Sequence, residues 1–234
     1  MPKNDLKFYD MNVHPLPEGA ASVSRLAKMA DDYGYSGICA SIHSEFTRCP
    51  KEPCGIESFE VYHGIEVVAK NANDLRRLVD KNRNRADILL VHGGDEAINR
   101  AACEDSRVDI LTHPHEGSKT SGINHIIAKL AADKKVAIEF DLHPIIFNRG
   151  GSRVRTLSYY RTNLGLVKKY DAPYVITSGA MSIYDVRDIR SVMALCAIFG
   201  MTQDDVIKGL SYYPAQIIKR NSPGYVMEGV EIVE

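Results

Sequence analysis

Short apolar runs alternate with amphipathic stretches along most of the 234-residue chain. The apolar runs read as strands: "LKFYDMNVH" (6–14), "SGICASIH" (36–43), "EVYHGIEVVA" (60–69), "DILLVHG" (87–93), "VDILTH" (108–113), "VAIEFDLH" (136–143) and "YVITSG" (174–179). Several are continuously apolar, as expected of parallel strands covered on both faces. Helical spacing marks 19–34, 73–84, 94–104, 121–134, 153–170 and 185–199. A further helix is expected after Thr202, which precedes "QDD" as an N-cap followed by first-turn acids. The segment 44–58, with two prolines and Gly55, reads as the one long loop.

This alternation predicts one α/β domain over 1–234 with a parallel sheet and crossover helices. Eight βα units would complete a regular barrel, so seven strands predict a distorted or incomplete TIM-like (β/α) barrel, with an open doubly wound sheet as the alternative. In either fold, function gathers at the C-terminal ends of the strands. His14, His43, Glu66, His92, His113 and His143 all fall at or near those ends.

Composition narrows the setting. An apolar content of 44% is enough for a substantial core. No apolar run approaches the roughly 20 residues that span a bilayer, and the polar start "MPKNDLKFYD" lacks a signal-peptide stretch, so a soluble cytoplasmic protein is expected. Cys39, Cys49, Cys54, Cys103 and Cys196 are scattered with no C-x-x-C pair, which favours reduced thiols. A net charge of −1 argues against a free-standing basic nucleic-acid-binding domain. Any RNA contact must then be local, at Lys81, Arg83 and Arg85; at Arg149, Arg153 and Arg155; at Arg161, Lys168 and Lys169; or at Lys219 and Arg220.

Imidazole and carboxylate groups converging from several strands suit a divalent metal that activates water. The alternative is that these groups hydrogen-bond one another and water. There is no G-x-S-x-G elbow, Walker loop or G-x-G-x-x-G. The glycines of "VHGGDEAINRAA" are read as serving the strand-to-helix turn, with Asp95 favourable to the helix dipole.

The strand-end motifs resemble the polymerase-and-histidinol-phosphatase metallophosphoesterases: "NVH" stands for H-x-H, "SIH" for T-D-H, "GIEV" for G-x-E and "THP" for the strand-end His-Pro. That resemblance puts His14, His43, Glu66, His92 and His113 on ligand positions. Asn12 departs from it, and "SGAMS" (178–182) carries neither carboxylate nor imidazole where the family has S-D-x-H. A multi-metal cluster is therefore not expected. A single Zn2+ or Mn2+ at Glu66, His92 and His113 remains, with His14 and His43 as further former ligand positions and His115 and His143 as outer partners. His63 and His125 are read as ordinary residues.

A second resemblance is carried by "VHGGDEAINRAA", "VDILTHP", "GINHIIAKLAADKKVAIEFDLHPII", "LVKKYDAPYVITSGAMSIYDVR" and "YYPAQII", in that order from about Asp5 to Lys219. These segments resemble archaeal protein component 3 of ribonuclease P, the counterpart of the eukaryotic 30-kDa subunit. The resemblance implies a seven-stranded barrel-like fold and a place in the ribonucleoprotein that removes 5′ leaders from precursor tRNA. It further implies that a catalytic RNA supplies the chemistry with Mg2+, and that the protein needs no cofactor of its own. The implied partners are that RNA and another protein subunit, held in a tight heterodimer or heterotetramer. A free-standing phosphoesterase is the alternative function. For RNA contact, "NRGGSRVR" (148–155) is read as the loop after the sixth strand, presenting Arg149, Arg153 and Arg155; Arg100, Arg187 and Arg190 are the next candidates.

Overall fold

The computed structural model describes residues 6–46, 54–223, 225–227 and 230–231. All seven predicted strands form, in one parallel sheet whose spatial order follows the sequence. They are β1 (Tyr9–Val13), β2 (Gly37–His43), β3 (Glu60–Val67), β4 (Ile88–His92), β5 (Ile110–Thr112), β6 (Ala137–Asp141) and β7 (Tyr174–Thr177). The sheet curls until β1 nearly meets the end of β7. A single bridge, Val13 to Ala180, joins them, with the His14 N–H donating to Ala180 O at 2.8 Å. The buried Asp10 carboxylate adds to the seam by accepting from the Ser178 N–H at 3.2 Å. The result is the nearly closed TIM-like barrel expected from the strand count.

Outside the barrel lie α1 (Val23–Asp32), α2 (Ala72–Asn82), α3 (Glu96–Glu104), α4 (His125–Lys134), α5 (His143–Phe147), α6 (Gly150–Tyr170), α7 (Ile189–Ile198), α8 (Gln203–Ile207) and α9 (Tyr213–Asn221). Thr202 caps α8 in a capping box with Asp205, as "TQDD" suggested. A π-helical segment at Lys208–Tyr212 leads without a break into α9, where Pro214 sits in the first turn, so the expected last helix runs on from 203 to 221 with a π-bulge inside it. A short hairpin, β8 (Tyr225–Met227) with β9 (Val230–Glu231), was not anticipated.

The strands are shorter than the apolar runs at one or both ends; after β5 the chain leaves the sheet at His113, which adopts φ +47°. One expectation fails outright. Residues 148–155 are not a loop: α5 intervenes, Arg149 is the N-cap of α6, and the helix begins at Gly150 rather than at 153. Within 44–58, residues 47–53 lie outside the described residues, as do Cys49 and the first five residues of the chain. Cys39 is buried, Cys103 and Cys196 are buried and free, and Cys54 is free and half-buried. Among the described residues no helix is long and apolar enough to cross a membrane.

Because alternate strand residues share a face, the barrel interior is stacked in layers. Met11, Cys39, Leu90, Ile110, Ala137 and Val175 form an apolar plug, closed from below by Ile217 of α9. One step up each strand, the inward positions turn polar: Ser41, Glu66, Thr112, Glu139 and Thr177, all buried. His92 holds that position on β4, and one step further come His43 and Asp141. The outward positions, among them Leu89, Val91, Leu111, Ile138, Phe140 and Ile176, pack with the helices into the larger core.

A histidine ring around a buried carboxylate at the barrel mouth

The strand ends bring His14, His43, His92 and His113 side by side. Successive ring centroids lie 5.6, 5.6 and 4.9 Å apart. At their centre is Glu66, with no exposed surface. Its Oε1 accepts from the Thr112 hydroxyl at 2.5 Å and lies 3.0 Å from His92 Nδ1 and 3.7 Å from His113 Nε2. Its Oε2 accepts no hydrogen bond among the described residues. The nearest ring nitrogens to Oε2 are His43 Nε2 at 3.5 Å and His14 Nε2 at 3.9 Å. The structure therefore gathers all five residues singled out from the strand-end motifs.

It also brings in acids that the sequence reading passed over. Glu18, in the turn after β1, reaches both His14 Nδ1 (3.3 Å) and His43 Nδ1, and accepts from the His43 N–H at 3.1 Å. Glu116 lies 3.5 Å from His92 Nε2. On β6, Glu139 and Asp141 each lie 3.5 Å from His113 Nδ1. Glu139 is anchored in turn by the Asn12 amide at 2.9 Å and the Thr177 hydroxyl at 2.8 Å. The recoverable signal was the pair of acids at alternate positions in "VAIEFDLH", an inward-facing period of two in an otherwise apolar strand. His115 and His143, expected as outer partners, line the cleft, but His115 packs edge-on against Tyr159 and Tyr160 while His143 stacks on Phe147. Carboxylates, not these rings, back the histidines.

The electrostatics follow from that crowding. Burial resists ionisation of Glu66, yet the His92 hydrogen bond and the His113 and His14 charges hold it well below the usual carboxylate range. Glu18 is likewise opposed by burial but kept at about 2 by His14 and His43. His92 is disfavoured as a cation by burial, and Glu116 and Glu66 more than offset this, raising it to about 10. His43 is raised chiefly by its bond to Glu18. Asp141 is pushed up by burial and then by Glu139 beside it. Above the ring opens a cleft of about 730 Å3, bordered by Lys119, Arg155 and Tyr159.

The stretch "VHGGDEAINRAA" supplies architecture rather than chemistry. Asp95, read from the sequence only as favourable to the helix dipole, caps α3 by accepting from the Ala97 and Ile98 N–H groups. Asn99, fully buried, accepts from the Gly94 N–H and donates to Pro114 O and Gly122 O, tying the turn after β4 to the loop after β5. A side chain at Gly93 would run into Asn99, and one at Gly122 into the Pro114 carbonyl; Gly122 also has φ +81°.

Residues 7–223 match the family described as RNase P subunit p30. The chain belongs to that family. It is 47% identical over 229 residues to ribonuclease P protein component 3 of Methanococcoides burtonii, covering 97% of this chain and 94% of the relative. A chain of an archaeal ribonuclease P solved by cryo-EM with mature tRNA superposes with a TM-score of 0.78 at 27% identity, covering 96% of this chain and 98% of that one. A Lactococcus lactis histidinol phosphate phosphatase, solved with zinc, L-histidinol and phosphate, shares the fold alone: TM-score 0.53 and 14% identity over 85% of this chain and 95% of that one. The chain is thus a protein subunit of ribonuclease P, an endoribonuclease, rather than a free-standing phosphoesterase.

Of the arginines considered for RNA, Arg149 donates to the carbonyls of Ile146, Phe147 and Asn148, and Arg153 to those of Asn148 and Ile146, so both close off the C-terminus of α5. Arg187 is likewise spent on Tyr184 O and Val186 O, and Arg100 pairs with Glu104. Arg155 and Arg190 are exposed. In the other basic clusters, Arg83 and Arg220 both bind Asp109, and Lys168 binds Asp205.

Proposed function

We propose that this chain supports the catalytic RNA of an archaeal-type ribonuclease P in removing 5′ leaders from precursor tRNA, by binding that RNA and a second protein subunit rather than by cutting phosphodiesters itself. The full-length likeness to the p30 family carries this reading. The archaeal ribonuclease P whose chain shares the fold was solved with mature tRNA, which supports RNA and protein partners for this chain too. Mg2+ then serves the RNA, and the protein joins its partner subunit in a tight heterodimer or heterotetramer. Reconstitution tests this: leaving this chain out of a mixture of the RNA and the remaining subunits should sharply reduce precursor-tRNA cleavage. Undiminished cleavage would overturn the proposal, as would failure to co-elute with any other ribonuclease P subunit at micromolar concentration.

For RNA contact, Arg155 is the cation to test, because it is exposed at the mouth cleft with Lys119 beside the same opening. Replacing both with alanine should weaken RNA binding by the reconstituted subunits and flatten its salt dependence by roughly one unit of slope per lost phosphate contact. The thermal midpoint should hardly move. Arg149→Ala and Arg153→Ala, by contrast, should lower stability by loosening α5. Equal slopes for wild type and the Lys119/Arg155 variant would place the RNA elsewhere, with Arg190 next.

A further inference from the structure

Glu66 poses a physical problem. A carboxylate with no exposed surface keeps one oxygen without a hydrogen bond among the described residues, although four imidazoles surround it. Burying an anion is tolerated when it is paired or bound to a metal. The distances separate these cases. His43 Nε2 and His14 Nε2 stand 3.5 and 3.9 Å from Oε2, and His113 Nε2 stands 3.7 Å from Oε1, all too long for hydrogen bonds. Donors on one tetrahedral zinc, each bonded at 2.0–2.1 Å, sit about 3.4 Å apart. In the sets His14–Glu66–His113 and His43–Glu66–His92, one atom from each residue lies within 4.8 Å of the others.

The surroundings of two of these rings point the same way. Glu18 takes the Nδ1 side of both His14 and His43, which leaves Nε2 of each turned toward Glu66. A ligating histidine typically has its remote nitrogen bonded to a carboxylate in this way. Glu18 lies outside the strand-end motifs, in the turn after β1.

We infer that the barrel mouth binds one divalent cation of the zinc class, with Glu66 as its anionic ligand, imidazole nitrogens drawn from His14, His43, His92 and His113, and Glu18 as the positioning carboxylate. The two sets have Glu66 in common and divide the four histidines between them; one cation per chain is the stoichiometry inferred, and a second equivalent bridged by Glu66 would overturn it. A nitrogen-rich donor set selects Zn2+, or Co2+ in its place, over Mg2+, which prefers oxygen ligands and retained waters. The site is therefore distinct from the Mg2+ that serves the RNA, and it can be tested on the full chain without RNA or partner.

The chelator-treated protein is titrated with Zn2+ and with Co2+ in excess Mg2+, following stoichiometry by calorimetry and coordination by the visible Co2+ spectrum. Wild type should bind one equivalent, develop the intense absorption of nitrogen-ligated, low-coordinate Co2+, and gain thermal stability with Zn2+ concentration. Glu66→Gln and the double variant His14→Gln/His43→Gln, which takes one histidine from each set, should each abolish the Co2+ band, the second serving should the first fail to fold. Glu18→Gln should keep the band while losing roughly tenfold to hundredfold in affinity. No binding by wild type, equal binding by a folded Glu66→Gln or His14→Gln/His43→Gln variant, or displacement by Mg2+ would overturn the cation site. Unchanged affinity in Glu18→Gln would overturn the role given to Glu18.

Discussion

Replacing Asp109 with alanine should destabilise the protein by about 3–5 kcal/mol, the cost expected when one partner of a buried ion pair is removed. Asp109 is 1% exposed at the start of β5 and fastens three separate pieces of chain. Its Oδ2 accepts from Arg83 Nη1 at 2.5 Å and from the Leu89 N–H at 2.8 Å, and its Oδ1 accepts from Arg220 Nη2 at 2.6 Å. Arg83 follows α2, and Arg220 belongs to α9, the helix that plugs the bottom of the barrel through Ile217. Alanine would take the carboxylate from two guanidinium groups and leave them, among the described residues, only backbone carbonyls, those of Arg107, Ala86 and Asp87 for Arg83 and that of Lys135 for Arg220. Their side chains are 20% and 21% exposed, so partial rehydration favours the lower end of the range. Asp109→Asn keeps the shape and the bond to Leu89 N–H but loses the charge, and should cost about half as much. Urea unfolding provides the check: the midpoint should fall with little change in slope. A loss below about 1 kcal/mol for Asp109→Ala would show that the two arginines find equivalent partners without it.

The sequence exposed the barrel more readily than its mouth. Strands such as β4 could be read because Ile88–Val91 face covered surroundings on both sides, which leaves an unbroken apolar run. A helix start could be read where a capping side chain does the work locally, as at Thr202. The start of α6 could not. Gly150, Gly151 and Ser152 are poor helix formers, and the helix is held by its later residues Tyr160, Leu164 and Val167 in the core. Glu66 and the four histidines were visible because strand ends converge in any parallel barrel. Glu18 was not, since "PLPEG" has no periodicity and its contact with His43 depends on how the turn after β1 folds across the end of β2. The arginines of 148–155 misled for a related reason. Composition reports charge, while the backbone decides whether a guanidinium faces solvent or satisfies a helix end.

The same distinction between recognisable sequence and chemistry applies to Asn99, in the most recognisable stretch of the chain. Asn99→Ala should cost about 2–4 kcal/mol, because it strips hydrogen bonds from groups that stay buried. Nδ2 donates to Pro114 O at 2.8 Å and to Gly122 O at 2.7 Å, while Oδ1 accepts from the Gly94 N–H at 3.1 Å. No other residue type of that size offers two donors and an acceptor in this arrangement. Asn99→Asp isolates the donors: the shape is preserved and no cavity forms, yet a carboxylate facing two carbonyl oxygens repels them. At neutral pH it should therefore be at least as damaging as alanine. The clamped segment carries His113 and Glu116, so the loss should also reach the barrel mouth. Hydrogen exchange should show residues 113–122 losing protection in Asn99→Ala under conditions where β4 and β6 remain protected. If both variants cost less than about 1 kcal/mol and the loop exchanges as in wild type, Asn99 does not hold that loop. In that case the close approach of Gly122 to Pro114 O, together with the turn at Gly93, must fix it instead.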